Sequence, residues 1–306
     1  MRSNQVEVVH TRVFAAGPEG GNPCPVVPFA DHLAEAEMQD LARKFGLDTV
    51  FILNPRSKAA DVRLRYFVPD HEMGVSGHAT IAAVTVAMLD NTLKSDRARI
   101  ETSSGLFEAE SLRSAVRILV TLEQNTPVFG PTATPDLVSD ALKIQPEQID
   151  LAKGPIQSVS VSRAKLLMPL RDSTVLNSLT PHFETLWHLC DKLQVSGFYP
   201  FTCHADKENA DAEARQFPLR AGFPEDAATG VAAAALGAYM VRYDLNNQTG
   251  RHRFRIAQGY VMGVPSLIEA IAECSNGKIT RTAIQGTARI VRREHIALNN
   301  NSRPAI

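Results

Sequence analysis

The chain has 306 residues, of which 44% are hydrophobic and 21% are charged, and its formal net charge is −1. This composition is typical of a globular protein, and the length allows two domains that each bury a core of their own. The balanced charge argues against a nucleic-acid or anionic-lipid partner, so we expect neither nucleic acid nor a membrane to bind.

The cysteines and the apolar segments narrow the class of protein further. The four cysteines are scattered without CxxC spacing, so the sequence predicts neither a disulfide framework nor a metal site. The first residues lack the apolar stretch of a secretory signal, and the longest apolar runs, 79–89 and 231–241, are too short for a bilayer span. We therefore expect a cytoplasmic protein.

In the first half of the chain, strand patterns outnumber helix patterns. A surface helix is predicted at 34–45, and an alanine-rich helix begins near Ser76. Residues 123–136 are rich in Pro and Thr and are the best candidate for a linker. Strands are predicted at 5–14, 24–28, 49–53, 61–68, 98–101 and 115–122.

The second half repeats this mixture of elements. Helices are predicted at 135–142, 182–193 and from about 227, with strands at 155–170, 197–202, 253–257, 265–272 and 282–292. The polar run 206–213 is predicted to be a solvated hairpin tip, and residues 299–306 a frayed end. We expect an N-terminal lobe of residues 1–125, completed by the strand near 282–295, and a C-terminal lobe of residues 126–281.

Two short stretches, 76–86 and 227–237, repeat one sequence pattern. Each follows an acidic, turn-forming lead-in and opens a run of small residues, and the copies lie 151 positions apart. Strands that follow strands exclude a parallel doubly wound sheet. The sequence therefore predicts an α+β fold of two pseudo-equivalent lobes, each a mainly antiparallel sheet wrapped around a central helix. If the two helix N-termini face one another, they form a pocket for a small anion.

Three residues at these helix starts have both structural and functional interpretations. His78 is either a capping or core histidine or a functional group, and the sequence leaves the two about equal. Asp226 is either an N-cap or an acceptor for a substrate ammonium or hydroxyl. Ser76 lies in a near match to the G-x-S-x-G nucleophile elbow, but the tight strand-to-helix turn is absent, so it is a weak candidate nucleophile.

Five elements along the chain carry a family resemblance. They are Gly21-Asn22-Pro23, Asp48-Thr49-Val50-Phe51, Gly77-His78-Ala79-Thr80, Glu225-Asp226-Ala227-Ala228-Thr229-Gly230, and Gln258-Gly259 ahead of Gly263-Val264-Pro265-Ser266. In this order they resemble the PhzF-like family of isomerases, which share the diaminopimelate-epimerase fold. The resemblance implies proton movement without a cofactor on a small carboxylate-bearing substrate, a cleft between two lobes, and a homodimer.

The resemblance also implies roles for individual residues. The family's catalytic Glu corresponds to Asp48, its histidine to His78 and its aspartate to Asp226. Asp48 is one methylene shorter than Glu, which withdraws the carboxylate by about 1 Å. A misplacement of that size costs on the order of a hundredfold in rate if nothing compensates for it.

Other positions depart from the family pattern. Val231 stands where the family often has serine, and Val264 where an arginine is common, so we expect a substrate different from that of the phenazine-pathway isomerase. Two-base racemases of this fold use one cysteine at the start of each central helix. At the 151-residue offset those positions hold Ser76 and Ala227, which excludes a two-thiol mechanism.

The favoured hypothesis is thus a cofactor-independent isomerase. In it Asp48 moves the proton, while His78 and Asp226 orient the substrate or assist the transfer. The substrate carboxylate is expected at the two helix starts, on the backbone around Gly77 and Gly230 with Ser76 and Thr229 beside it. The alternative is a metabolite-binding protein of the same fold that has lost efficient chemistry, which the shorter Asp48 and the missing hydroxyl at Val231 favour.

Overall fold

The structure is a computed structural model that describes residues 5–298, so the predicted frayed end at 299–306 lies outside the described residues. The chain divides into two compact units. Unit 1 contains the residues up to Ala15, Asn22–Leu122 and the residues from Gly286 onward, while unit 2 contains Ala16–Gly21 and Glu123–Gln285. Within 5–298, no helix is long and apolar enough to cross a membrane.

The first ten elements form most of unit 1. They are β1 (Gln5–Val13), β2 (Asn22–Val27), α1 (Glu35–Phe45), β3 (Thr49–Leu53), β4 (Val62–Phe67), β5 (Glu72–Met73), α2 (Gly77–Leu89), β6 (Arg97–Thr102), β7 (Gly105–Arg113) and β8 (Ile118–Gln124).

The remaining elements form unit 2, except that the last strand runs on into unit 1. They are β9 (Val128–Ala133), α3 (Pro135–Leu142), β10 (Ile156–Ser160), β11 (Lys165–Pro169), α4 (Ser173–Ser178), α5 (Phe183–Leu193), β12 (Gly197–Thr202), β13 (Ala212–Ala214), β14 (Phe217–Pro218), α6 (Gly230–Tyr243), β15 (Gly250–Gln258), β16 (Ser266–Ser275) and β17 (Lys278–Ala297).

The two units repeat one order of strand pairing. In unit 1 the pairs β1–β2, β3–β4 and β6–β7 are antiparallel, while β2–β3 and β4–β6 are parallel. In unit 2 the pairs β10–β11, β12–β13 and β15–β16 are antiparallel, while β11–β12 and β13–β15 are parallel. The predicted pseudo-equivalence of two mainly antiparallel sheets is therefore confirmed at the level of individual ladders.

Each sheet has an outer helical layer on one face and a central helix on the other. In unit 1, α1 buries Met38, Leu41 and Ala42 against strand residues such as Phe51, while α2 packs on the strands β1 to β4. In unit 2, α3, α4 and α5 share an apolar cluster with Leu166, Phe198 and other residues, while α6 packs on β10, β11, β15 and β16. An amphipathic outer helix and an apolar inner helix are the expected result of these two environments.

The central helices are enclosed along their length, which explains their small residues. Every residue of α2 from Gly77 to Met88 is buried, and so is every residue of α6 from Gly230 to Val241. At Gly237, an added Cβ would lie 3.0 Å from the Cβ of Ala270 on β16. The alanine-rich pattern thus reflects close approach of strands to the helix.

Three sequence predictions need correction. The segment 123–136 is not a free linker, because Val128–Ala133 forms β9 and pairs with β10. The polar run 206–213 ends inside the fold, since Glu213 is in β13, is 3% exposed and accepts hydrogen bonds from the Ser173 hydroxyl and the Asp206 N–H. The second central helix begins at Gly230 rather than near 227, so the two helix starts lie 153 positions apart instead of 151.

A buried ion pair fixes the segment that leads to α6. Arg215 donates from Nε and Nη2 to Glu225 at 2.9 and 2.7 Å, and the two side chains are only 8% and 11% exposed. The remaining nitrogen, Nη1, donates to the carbonyl oxygens of Leu176 and Leu179 at 3.2 and 2.9 Å. The pair therefore closes the loop between β14 and Glu225 and ties it to the end of α4.

We expect Glu225→Gln to lower the free energy of unfolding by about 3 kcal/mol, because removal of one partner leaves a buried charge uncompensated. The matched control is Asp191→Asn, which breaks the Arg220–Asp191 pair, of similar geometry but exposed on the surface. The control should change stability far less. Urea unfolding of both variants measures the difference, and equal losses would contradict the structural role given to Glu225.

Candidate active site

The start of α2 brings together the predicted site residues of unit 1. Asp48 immediately precedes β3, and His78 is the second residue of α2. The His78 Nε2 atom lies 3.7 Å from Asp48 Oδ2, with the side chains 8% and 16% exposed. Because this exceeds hydrogen-bond distance, Nε2 is a buried nitrogen without a hydrogen-bond partner in the described structure.

Ser76 is the N-cap residue of α2, but its side chain does not cap the helix. Its Oγ atom lies 3.4 Å from His78 Nδ1, the outer limit of a hydrogen bond. Gly74 and Val75 separate it from the end of β5, so the strand does not run directly into the serine as in a nucleophile elbow. The structure therefore places Ser76 beside His78 without the geometry of an activated nucleophile.

A buried tyrosine fixes the first turn of α2. Thr80 donates its hydroxyl to the Ser76 carbonyl at 2.7 Å, and Tyr66 of β4 lies 2.8 Å from the same hydroxyl. Burial raises the pKa of Tyr66, while its hydrogen bond to Thr80 acts in the opposite direction. These contacts hold the helix start, and with it His78, against the sheet.

The start of α6 brings together the predicted site residues of unit 2. Thr229 is the N-cap residue, and it donates its hydroxyl to Asp226 Oδ2 at 2.6 Å. Asp226 is therefore not the N-cap residue. It lies one turn before Thr229 and accepts a hydrogen bond from the Thr229 hydroxyl. Gly230 follows as the first helical residue.

Gln258 connects the lead-in of α6 to the sheet. Its Nε2 donates to the Asp226 carbonyl at 2.6 Å, while its Oε1 accepts from the Thr229 N–H at 3.2 Å and from the Tyr199 hydroxyl at 3.0 Å. At the neighbouring Gly259, with a φ of 80°, a Cβ would lie 2.6 Å from the Ala227 carbonyl oxygen. The Gln258-Gly259 motif is thus explained by the close approach of β15 to the Asp226–Thr229 turn.

Four polar residues of unit 2 lie near this turn, and of these only Gln258 carried a signal in the sequence. Tyr199 and Gln258 hold the turn, as described, and both are buried. Lys165 on β11 is 4% exposed, and Gln216, which precedes β14, is 1% exposed. Their inward orientation depends on which face of each strand meets the central helix, and a single buried lysine or glutamine in a strand pattern does not reveal that face.

Lys165 is a basic group of unit 2 whose pKa the fold lowers strongly. Burial lowers the pKa of Lys165 to about 7, with a further lowering by the charge of Arg163. The charges of Asp226 and of a Cys190 thiolate act in the opposite direction. Its amine donates to the Ser196 carbonyl at 3.3 Å.

No cysteine stands at the N-cap of either central helix. The N-cap positions of α2 and α6 hold Ser76 and Thr229, neither of which carries a thiol. Burial raises the pKa of the Cys24 thiol well above its usual value, and the nearby Asp48 carboxylate adds to this effect. Among residues 5–298, no group of three or more His, Cys, Asp or Glu side chains is placed to hold a metal ion.

The repeated sheets, each with a central helix, define the diaminopimelate-epimerase-like fold class. Residues 11–294 match the family model described as "Phenazine biosynthesis-like protein" (PhzC-PhzF), and the chain belongs to this family.

Relatives over nearly the full length carry isomerase names. The chain is 32% identical to the uncharacterized isomerase YfhB of Bacillus subtilis, over 94% of the chain and 99% of the relative. It is 30% identical to the trans-2,3-dihydro-3-hydroxyanthranilate isomerase of Pseudomonas fluorescens, over 89% of the chain and 92% of that relative. The crystal structure of a PhzF-family phenazine biosynthesis protein of Bacillus anthracis superposes with a TM-score of 0.87 at 25% sequence identity. The match covers 95% of this chain and 99% of that structure.

We expect Lys165→Met to stabilise the protein at pH 7 and to do so less at higher pH. Between the folded pKa of about 7 and the unfolded value near 10.4, the unfolded chain binds a proton that the folded chain does not, so wild-type stability rises with pH. Methionine does not titrate. The stability advantage of the variant should therefore shrink by about 1.5 kcal/mol between pH 7 and pH 8.5.

Urea unfolding at the two pH values measures this change. The exposed Lys192→Met is the control, since it removes the same charge from the end of α5. A stability difference for Lys165→Met that does not vary with pH would show that the lysine is not held in a desolvated state.

Proposed function

We propose that the protein is a cofactor-independent isomerase that moves a proton on a small carboxylate-bearing metabolite, with Asp48 as the acid–base group. The observation that supports this most strongly is the Asp48–His78 pair, in which a mostly buried carboxylate lies beside a buried imidazole at the start of a helix. Membership of a family whose relatives are named isomerases supports the reaction class.

In the proposed reaction, Asp48 begins as a carboxylate and removes a proton from carbon next to an acid or unsaturated group of the substrate. The electron pair moves along the substrate, and protonated Asp48, whose acidic proton exchanges with solvent, returns a proton to another carbon. No net proton or electron is gained, so no co-reactant is required. General acid–base catalysis of this kind contributes roughly 10²–10⁴-fold to a rate.

His78 has a positioning role in this proposal. Its Nε2 faces Asp48 and has no hydrogen-bond partner in the described structure, so it can bond to the carboxylate or to a substrate oxygen as the reaction proceeds. Burial makes such a bond more valuable, because an unsatisfied buried nitrogen costs about 1–3 kcal/mol.

The helix starts are proposed to bind the substrate. Backbone N–H groups of the first turn of α2, which begins at Gly77 after the non-capping Ser76, have no acceptor within the helix and suit a carboxylate. In unit 2, the start at Thr229 and Gly230 offers a second set of such groups, and the Asp226 carboxylate suits an ammonium or hydroxyl of the substrate.

We expect Asp48→Asn to lower turnover at least a hundredfold, because the amide cannot accept the proton. Asp48→Glu is the informative partner variant, since it restores the length found at this position in the resembling family and should retain or raise activity. Substrate-dependent exchange of carbon-bound hydrogen with D₂O measures the proton step directly. Unchanged exchange in Asp48→Asn would remove Asp48 from the reaction.

A metabolite-binding protein of the same fold is the second candidate. The 3.7 Å gap between His78 Nε2 and Asp48 Oδ2 favours it, because the short carboxylate does not come within hydrogen-bond distance of that imidazole nitrogen. A thermal-shift screen of small acids, followed by NMR of each hit in D₂O, separates the candidates. Stabilising ligands that are neither converted nor deuterated would support binding alone.

We expect Ser76→Ala to retain isomerase activity within a few fold and the wild type to resist a fluorophosphonate probe. The reason is geometric, since Ser76 is 4% exposed and only at the limit of contact with His78. Mass spectrometry after incubation with the probe checks the second point. A covalent adduct on Ser76 would instead support a hydrolase.

A further inference from the structure

A cavity of about 340 Å³ opens on the outer face of unit 2, and the proposed reaction gives it no role. Leu179, Arg215 and Phe217 form its floor and are all buried. Phe183, the first residue of α5, forms one side. The volume lies at the lower end of the range for small-molecule sites, roughly 300–1,000 Å³, so the cavity suits a compact ligand.

This cavity lies on the side of the sheet that faces away from α6. Leu179 and Phe217 belong to the apolar cluster that α3, α4 and α5 share, and Phe183 packs against that cluster. Arg215 donates to the Leu179 carbonyl at the end of α4. Gln216 points to the opposite face, because successive side chains of an extended chain alternate. A ligand in the cavity would therefore be held by the outer helical layer and not by the N–H groups of α6.

The walls of the cavity present apolar rings. Phe183 and Phe217 meet edge to face, with their centroids 6.4 Å apart and an angle of 74° between the ring planes. Pro181 and Pro224 add two saturated rings to the lining. Aromatic rings gain from edge-to-face contacts with other rings in addition to the burial of their surface. The walls thus favour a ligand whose body is an aromatic ring.

The charges of the lining favour an anion. Arg215 and Glu225 neutralise one another through hydrogen bonds of 2.9 and 2.7 Å. Lys143, which follows the last residue of α3, is exposed, and within the described part of the chain no acid forms an ion pair with it, Asp140 of the preceding turn included. The lining therefore combines a neutral ion pair with one uncompensated cation.

We infer that this cavity is a binding site for a small aromatic carboxylic acid. The ring packs against Phe183 and Phe217, and the carboxylate pairs with the Lys143 ammonium. Glu225 lines the cavity and immediately precedes Asp226, so an occupied site also stabilises the loop that leads to α6. The ligand is bound apart from the residues proposed to move a proton.

The single tryptophan of the chain makes this binding measurable. The Trp187 ring lies 5.8 Å from the Phe183 ring, centroid to centroid, so a ligand packed on Phe183 should change the tryptophan emission. The probes are phenylacetate, its uncharged isostere phenylacetamide, and acetate, which lacks the ring. They are titrated into the full chain at pH 7.5 and low ionic strength, with calorimetry in parallel. We expect phenylacetate to bind with a Kd of about 1 mM or below, and about tenfold more tightly than either control.

Substitutions test the charge and the ring contact separately. Lys143→Gln should reduce the preference for phenylacetate over phenylacetamide to about twofold or less, whereas Lys143→Arg should retain it, because it keeps the cation. Phe183→Leu should weaken the binding of both ligands and leave their ratio unchanged. Lys192→Gln removes an exposed lysine from the end of α5 and is the matched control, which should behave as the wild type.

Three results would overturn the assignment. They are a preference that persists in Lys143→Gln, binding that leaves the Trp187 emission unchanged, and a lack of phenylacetate binding up to about 20 mM. None of them bears on the proposed reaction, which is tested by hydrogen exchange in the Asp48 variants. Conversely, loss of hydrogen exchange in Asp48→Asn should leave phenylacetate binding as it is in the wild type.

Discussion

The enclosure of a central helix by strands is the constraint on which each unit depends. Strands that close around α2 and α6 favour small residues, above all alanine, over much of the helix surface. Enclosure also means that the unpaired backbone N–H and C=O groups at the helix ends must find hydrogen-bond partners within the fold or in a ligand. In both units, the residues proposed to act on the substrate lie around the N-terminal end of the enclosed helix.

The two helix starts meet this requirement by different means. In unit 1, the first turn is held by side chains of its own segment and β4, through Thr80 and Tyr66. In unit 2, one amide, Gln258, holds the lead-in from the neighbouring β15, and the Arg215–Glu225 pair fixes the loop before it. The repeat therefore conserves the placement of the helix without conserving the interactions that anchor it, which allows each start to serve a different part of a reaction.

The sequence was sufficient to predict the parts of the fold that depend on local pattern. The small-residue helices, the outer helices and most strands follow from periodicity, and a family resemblance singled out Asp48 and His78 as candidate site residues. The start of α6 was predicted too early because Ala227 and Ala228 have high helix propensity, whereas Gln258 and Gly259 hold them in the lead-in.

Other features depend on tertiary contacts that no local pattern contains. The strand β9 includes Gly130 and Pro131, which are typical of a loop, and it forms because β10 provides a partner. Lys165 looks like an ordinary surface lysine at the start of a strand. Its burial depends on the register of β11 beside β12 and on the loop that brings Gln216 across Gly197.

The pairing of strand β17 has a consequence for how the protein folds while it is being synthesised. Its first part pairs with β16 in unit 2, and its last part, from Ala288 to Ala297, pairs with β1 in unit 1. A ribosome normally releases domains in the order in which they are made. Here unit 1, which contains β1, is completed by the last part of β17, which is synthesised after the other helices and strands of unit 2. Until that part arrives, β1 has one open edge, which a nascent chain must protect from pairing with its neighbours.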